Sequence, residues 1–267
     1  LLPRPPPRPK HSDSSAASDV YKRQDYYVEK FGNEKPYYPA YAYYPNRYPR
    51  ATYAAMISYL DEIVGSLTQK LKEINQFENT IIMFTSDNGV TYLDQVDSGF
   101  FNSSAMFSDE IDMVKQSLYE GGIRVPSFVT WPRKIKEGSF SNHISSTQDF
   151  YATILDLFKI KKPNHITGLS FLPTLLGKKQ NKHEYLYWET NSRQGQQALR
   201  MDKWKAIRRN IAAGNKEIEL FDLTLDSKEK NDVSKSNLDV ISQIEIIFKE
   251  ARTTPTLKNF YIKGLDF

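Results

Sequence analysis

The sequence predicts an α/β protein with a small α+β unit at its carboxy end, and three observations lead there. Between Ala51 and Ile74, residues Tyr53, Met56, Ile57, Leu60, Val64, Leu67, Leu71 and Ile74 recur at three- and four-residue steps, one apolar stripe of a helix. Behind it, Thr80 to Gly89 is a short, almost wholly apolar run ending in polar residues and a glycine, which predicts an interior strand of a parallel sheet, buried on both faces. After Lys182 the texture changes to short strand candidates separated by turn residues and followed by a helix, as in an antiparallel meander packed on one helix.

Each element has its own signal. Residues 1–24 hold five prolines in the first ten positions and then a Ser/Ala/Asp stretch, with too little apolar surface to offset the entropy of ordering. They read as a disordered tail, either a native proline-rich linker or translated adapter sequence joined to a broken reading frame, in which case the protein extends further upstream. Residues 25–50 are rich in Tyr and Pro, which precludes a long helix there and predicts an extended connector. Opposite the apolar stripe of the first helix lie Asp61, Glu62, Gln69, Lys70 and Lys72, and Asn75 and Asn79 break the pattern. A second buried strand is expected over Ile123 to Trp131, closed by Pro132, and residues 90–118 between the strands read as an irregular, functional loop. A helix follows over Thr147 to Phe158, with Ser146 as a candidate cap and Asp149 three residues on, and Leu172 to Leu176 forms a helical turn ended by Gly177. The later strands are Glu184–Thr190, Gln197–Met201, Trp204–Arg209 and Ile218–Leu223, and the last helix is Leu238–Ala251 with Val240, Ile241, Ile244, Ile247 and Phe248 on its apolar face. The organisation is therefore a tail (1–24), an α/β part (25–180) and an antiparallel-sheet subdomain with a helix (181–267).

Composition excludes several classes. The formal charge is +4, but residues 1–24 alone carry a net +3, so the remainder lacks the basic footprint of a nucleic-acid binder. There is no cysteine, hence no disulfide and no thiolate metal site. No apolar run approaches the ~18 residues of a membrane span, and residues at the amino end lack the apolar core of a signal peptide.

The candidate site begins at Ser86-Asp87-Asn88-Gly89, at the carboxyl end of a predicted strand, where open α/β sheets bind ligands. Asp87 offers a carboxylate and Asn88 an amide oxygen, hard donors suited to calcium or magnesium. Lys115-Gln-Ser-Leu-Tyr-Glu-Gly-Gly-Ile-Arg-Val-Pro126 follows, with a lysine ahead of paired glycines that can set an ammonium against an anionic group. Taken singly, Asp-Asn-Gly fits a plain turn and Lys115 a solvated loop lysine. It is the two together that point to a site.

Together these segments resemble the type I sulfatases of the alkaline-phosphatase-like superfamily. The resemblance implies a partial alkaline-phosphatase-like sheet with flanking helices. It makes Asp87 and Asn88 calcium ligands and Lys115 the residue that contacts the sulfate ester, with Tyr119, Glu120, Gly121, Gly122 and Arg124 shaping the loop. The similarity extends to Ala54-Ala55-Met56 through Leu60-Asp61. It also takes in Tyr185-Leu-Tyr-Trp-Glu189, Arg200-Met-Asp-Lys-Trp-Lys205 and Leu220-Phe-Asp-Leu223 with Glu229, Asn231 and Asp232, covering about residues 25–255. It implies hydrolysis of sulfate esters, aryl or carbohydrate, by a formylglycine nucleophile with calcium neutralising the sulfate oxygens. The partner is then a sulfated small molecule or glycan, and the location periplasmic or secreted by analogy.

The departures are as informative. Formylglycine arises from a Cys/Ser-x-Pro-x-Arg motif, and this chain has neither a Cys nor a Ser followed two positions later by Pro. The family's paired aspartates and sulfate-side histidines have no counterpart, and His143 reads as structural. Where the family has Leu-Arg-Gly, this chain has Met106-Phe-Ser-Asp-Glu-Ile-Asp-Met113, so Asp109, Glu110 and Asp112 either turn to solvent or make the site unusual. Two oxygen ligands fall short of the ~6–8 that calcium takes, so the chain as given is expected to bind metal negligibly and to lack turnover. A sheet without its earlier strands is also expected to expose apolar surface and aggregate. Two alternatives stand beside this reading. One is a phosphodiesterase or phosphonate hydrolase of the same superfamily. The other is a non-catalytic carbohydrate-binding module using Tyr41, Tyr43, Tyr44, Tyr187 and Trp188.

Overall fold

The computed structural model describes residues 15–38, 45–91, 98–104 and 106–267. They belong to two compact units, Leu1–Phe77 with Leu93–Phe101, and Glu78–Tyr92 with Asn102–Phe267.

The first unit is a helix pair, α1 (Ser15–Phe31) and α2 (Pro49–Glu73), with the short α3 (Ser98–Phe101). The expected tail thus gives way to helix at Ser15, well before residue 24. Along the pair, Arg23 meets Glu62, Gln24 Nε2 donates to Thr52 Oγ1 at 2.8 Å, and Tyr27 and Ser58 share a hydrogen bond of 2.6 Å. Helix α2 starts at Pro49, where a missing N–H costs nothing. The Glu34 carboxylate accepts the free N–H groups of Arg50 and Ala51 at 2.6 and 3.2 Å, an acid placed at the positive end of the helix dipole. At the other end Asn75 adopts a left-handed φ of 56° and Gln76 N–H reaches back to Leu71 O, a Schellman-type stop that accounts for the break read from the sequence. Only Ala51, Ala54 and Ala55 of α2 are buried, while Met56, Ile57, Leu60 and Leu67 of the predicted stripe are exposed.

In the second unit, β1 (Ile82–Thr85) and β2 (Ser127–Thr130) form a two-stranded ribbon. They are antiparallel, with Ile82 opposite Thr130 and Phe84 opposite Phe128, which corrects the expectation of a parallel, doubly buried strand. Phe84 and Phe128, whose rings face each other across the ribbon, are 38% and 64% exposed. An apolar run reports the wish to be buried, not the direction of its neighbour.

Next come α4 (Glu120–Ile123), placed before β2, then α5 (Gln148–Leu157) and α6 (Leu172–Leu175). Asp149 of α5 is fully buried and accepts Ser146 N–H, Leu169 N–H and His183 Nε2 at 2.8, 2.7 and 2.9 Å. No side chain caps the first turn of α5, so the Ser146 hydroxyl is not the cap, and His143 lies near Asp149 with its Nε2 buried and without a hydrogen bond. The expected meander is present as β3 (Leu186–Thr190), β4 (Gln196–Met201), β5 (Trp204–Arg209) and β6 (Glu219–Asp222), antiparallel in sequence order. Side chains alternate across this sheet. Leu199, Ala206 and Leu220 face α7 (Leu238–Ala251) and its Ile244 and Phe248, while Ala198, Ile207 and Phe221 pack against Leu118 and Tyr119. The loop that carries Lys115 therefore lies against the second face of the carboxy-terminal sheet.

Candidate functional site

The Asp87–Gly89 turn follows β1 directly. Ser86 Oγ donates to Asn88 O at 2.9 Å, which bends the chain, and Asn88 Nδ2 donates to Gly89 O at 3.1 Å, so its Oδ1 is left open. Asp87 is exposed and Asn88 half-buried. Two backbone hydrogen bonds lace this turn to the glycine-rich loop: Gly89 N–H to Gly122 O at 2.9 Å, and Lys115 N–H to Val90 O at 2.8 Å. The two motifs singled out by sequence, 26 residues apart between Gly89 and Lys115, are neighbours in space.

Glycine is required here by space. A Cβ on Gly89 would lie 1.9 Å from Gly121 O, one on Gly121 would lie 2.5 Å from Met113 O, and one on Gly122 would lie 2.3 Å from Ser117 O. Lys115 is half-buried, and its ammonium makes no hydrogen bond or ion pair among the described residues. Its carbonyl accepts Arg193 Nη2 at 3.4 Å. Gln116, the next residue, is held at φ 70°, and the buried Gln196 clamps it by donating to Gln116 O at 3.0 Å. A cavity of about 280 Å³ opens beside this clamp, lined by Asp112, Arg193, Gln196, Arg209 and Asn210.

Of the acids that stand where the family has Leu-Arg-Gly, Asp109 is held by cations from beyond β6, while Asp112 lines the cavity and lies 3.6 Å from Arg193. Asp109 pairs with Lys228 and Lys230 at 2.5 and 2.6 Å, and these two cations hold its carboxyl below the usual range. The Asp112 side chain is 88% exposed. Tyr119 packs on Phe221 and donates its hydroxyl to Glu219 at 2.5 Å, so burial, with Glu219, pushes its phenol up. Tyr187 and Trp188 are partly buried: Tyr187 meets Phe248 edge-on, and Trp188 packs against the core around Phe221. Tyr41, Tyr43 and Tyr44 fall outside the described residues.

The donors fit calcium in kind. Asp87 and Asn88 present hard oxygens at an accessible turn, and no group of three or more His, Cys, Asp or Glu side chains that could hold a metal occurs among the described residues. Sequence reasoning did not anticipate Lys205 as a partner of Glu120. Lys205 alternates onto the same face of Trp204–Arg209 as the apolar Ile207, and this was the available signal, since a buried charge requires a partner. No helix of the described residues is long and apolar enough to cross a membrane.

Comparisons with known proteins give the family. The sulfatase family model matches residues 12–160, and the model of the N-sulphoglucosamine sulphohydrolase carboxy-terminal region matches residues 112–253. N-acetylgalactosamine-6-sulfatase of Homo sapiens is 31% identical over 129 residues, covering 48% of this chain and 24% of that protein. An N-acetylgalactosamine-6-O-sulfatase of Bacteroides thetaiotaomicron is 28% identical over 217 residues, 74% of this chain and 41% of the relative. Among solved structures, Ps i-CgsB in complex with a neocarrahexaose superposes with a TM-score of 0.66 at 27% identity, over 91% of this chain and 55% of that one. The chain thus spans about a quarter of the mammalian relative and about half of the solved one. With two matching models, a mixed α/β architecture and the glycine-laced pair of motifs, the chain belongs to the sulfatase family, in the alkaline-phosphatase-like class of folds.

Proposed function

We propose that this chain is the carboxy-terminal part of an enzyme that hydrolyses sulfate esters of carbohydrates. In this reading Asp87 and Asn88 supply two calcium-facing oxygens, and Lys115 supplies a cation for the sulfate. The reading is supported above all by the backbone lacing of Gly89 to Gly122 and Val90 to Lys115, which sets the lysine's loop beside the metal-type turn. Sulfated sugars are favoured over aryl esters because the two relatives above are by name sulfatases of N-acetylgalactosamine. The division into an α/β part to residue 180 and a sheet subdomain from residue 181 belongs to the same proposal.

Calcium, when bound, would neutralise charge on the sulfate oxygens. The chain's own residues orient and bind. The carboxylate of Asp87 and the Oδ1 of Asn88 would hold the cation from one turn, and the ammonium of Lys115 would offer a charge-assisted donor to a sulfate oxygen. The formylglycine nucleophile belongs to a motif that this sequence lacks, so the chain alone is expected to give no turnover of an aryl sulfate with calcium present. Sustained hydrolysis in that assay would overturn the inactivity.

The site itself is tested by NMR titration with inorganic sulfate at low salt. Shifts are expected at the amides of Lys115–Gly122 and to vanish in Lys115→Ala, with the thermal midpoint unchanged. Shifts that persist in Lys115→Ala, or that spread over the surface lysines, would remove Lys115 from the site.

A further inference from the structure

A buried charge cluster that the sulfate reading leaves unused joins the glycine-rich loop to the end of the chain. The side chain of Lys205, on β5, is 0% exposed, and its ammonium lies 3.0 Å from Glu120 Oε1 and 3.6 Å from Glu229 Oε1. Glu229 sits in the turn after β6 at a left-handed φ of 55°, and its Oε2 accepts the Glu120 N–H at 2.6 Å across 109 residues of sequence. Its Oε1 is buried with no hydrogen-bond partner, within ion-pair range of Lys205 but too distant to accept from it. Arg124 and Arg200 approach Glu120 Oε2 at 3.3 and 3.5 Å. The cluster converges on Glu120, one residue ahead of Gly121, whose carbonyl packs on Gly89.

We propose that Lys205, Glu120 and Glu229 form a positioning unit that sets the Lys115–Gly122 loop against the Asp87–Gly89 turn, and that a proton on Glu229 tightens it. The claim rests on the sulfate-binding reading only for what the loop is positioned to do. One ammonium serves two buried carboxylates, and the two guanidiniums both face Glu120, so Glu120 is the one that keeps its charge. Burial pushes the Glu120 carboxyl up, but Lys205, then Arg200 and Arg124, overcome it and the net shift is down. Glu229 faces Lys205 at 3.6 Å, without a hydrogen bond from it, and Glu120 as a like charge. Burial first, and Glu120 next, raise its carboxyl to about 7 against the pull of Lys205. The remaining titratable group nearby is Tyr119, whose hydroxyl is engaged by Glu219.

Opening the loop exposes Glu229 to water, where it ionises at an ordinary pKa. The opening constant should therefore rise with pH from about 4.5 to about 7 and level off above. Hydrogen exchange on the full chain, corrected for the intrinsic base-catalysed rate, reads this at the amides of Gly89 and Lys115 against those of the β4–β5 pairing. Expected is an increase of about tenfold or more between pH 5 and 7 at Gly89 and Lys115, absent from the sheet amides and flattened in Glu229→Gln. In Lys205→Met the two loop amides should exchange about tenfold faster at pH 5, with partial rescue in Lys205→Arg. An unchanged pH profile in Glu229→Gln, or sheet amides that move in step with the loop, would overturn the proposal. If Lys205→Met does not fold, the Glu229→Gln profile decides alone. The readout needs neither turnover nor ligand. A flat profile with sulfate binding intact overturns the positioning unit only, and a stepped profile without sulfate binding overturns the sulfate reading only.

Discussion

A carbon added to Gly89 would sit 1.9 Å from Gly121 O, with backbone on both sides and no flexible side chain to give way. Gly89→Ala should therefore cost about 3 kcal/mol, read as a lower urea midpoint, because relief requires parting the turn from the loop. An unchanged midpoint would mean that the two segments are not in contact in solution. Motif residues of this kind are legible because their chemistry is local: Asp87, Asn88 and Lys115 stand within short patterns whose residue types state a purpose. Lys205 and Glu229 are not, since each acquires meaning only from a partner 85 or 109 positions away, a separation that no local pattern encodes.

Among the elements, α5 illustrates how one buried acid organises its surroundings. Asp149 satisfies the backbone N–H groups of Ser146 and Leu169 and holds His183, so it fixes the start of α5, the approach to α6 and the segment leading to β3. Asp149→Ala leaves those donors without an acceptor in a buried site and should destabilise the chain by about 3 kcal/mol in a thermal melt. Asp149→Asn, which keeps an acceptor, should cost less. Equal losses would show that the charge and not the hydrogen bonding matters. The periodic elements were legible almost residue by residue: α7 spans the expected Leu238–Ala251, and β5 the expected Trp204–Arg209. The ribbon was not. An apolar run such as Ile82–Thr85 carries no information about strand direction, and its antiparallel pairing with Ser127–Thr130 depends on the path of the intervening loop.

For the whole molecule, stability should carry the mark of the buried cluster. A carboxyl whose folded pKa is raised binds a proton that the unfolded chain has already lost, so its contribution falls as pH rises between about 4.5 and about 7. The stability difference between the parent chain and Glu229→Gln should therefore shrink or reverse over that window, by up to about 3 kcal/mol, and stay constant above it. Glu120, shifted down, acts in the opposite sense: its contribution is present above the ordinary glutamate pKa and is lost as pH falls further. Urea melts at pH 5 and 8 measure the first, and melts at pH 5 and about pH 3 the second. A difference that is flat with pH would show that Glu229 is ionised in the folded chain at both values.

By itself the sequence determined the helix and strand periods, the carboxy-terminal meander with its helix, and the pair of motifs that mark a sulfatase, because periodicity and motif chemistry are properties of neighbouring residues. Only the tertiary structure decided that β1 and β2 run antiparallel and that Asp109 pairs with Lys228 and Lys230. It alone set the loop of Lys115 between a calcium-type turn and the second face of a sheet, pinned by charges from the far end of the chain. Those outcomes depend on which distant groups share a buried space, where an unpaired charge or an extra carbon costs too much to be tolerated.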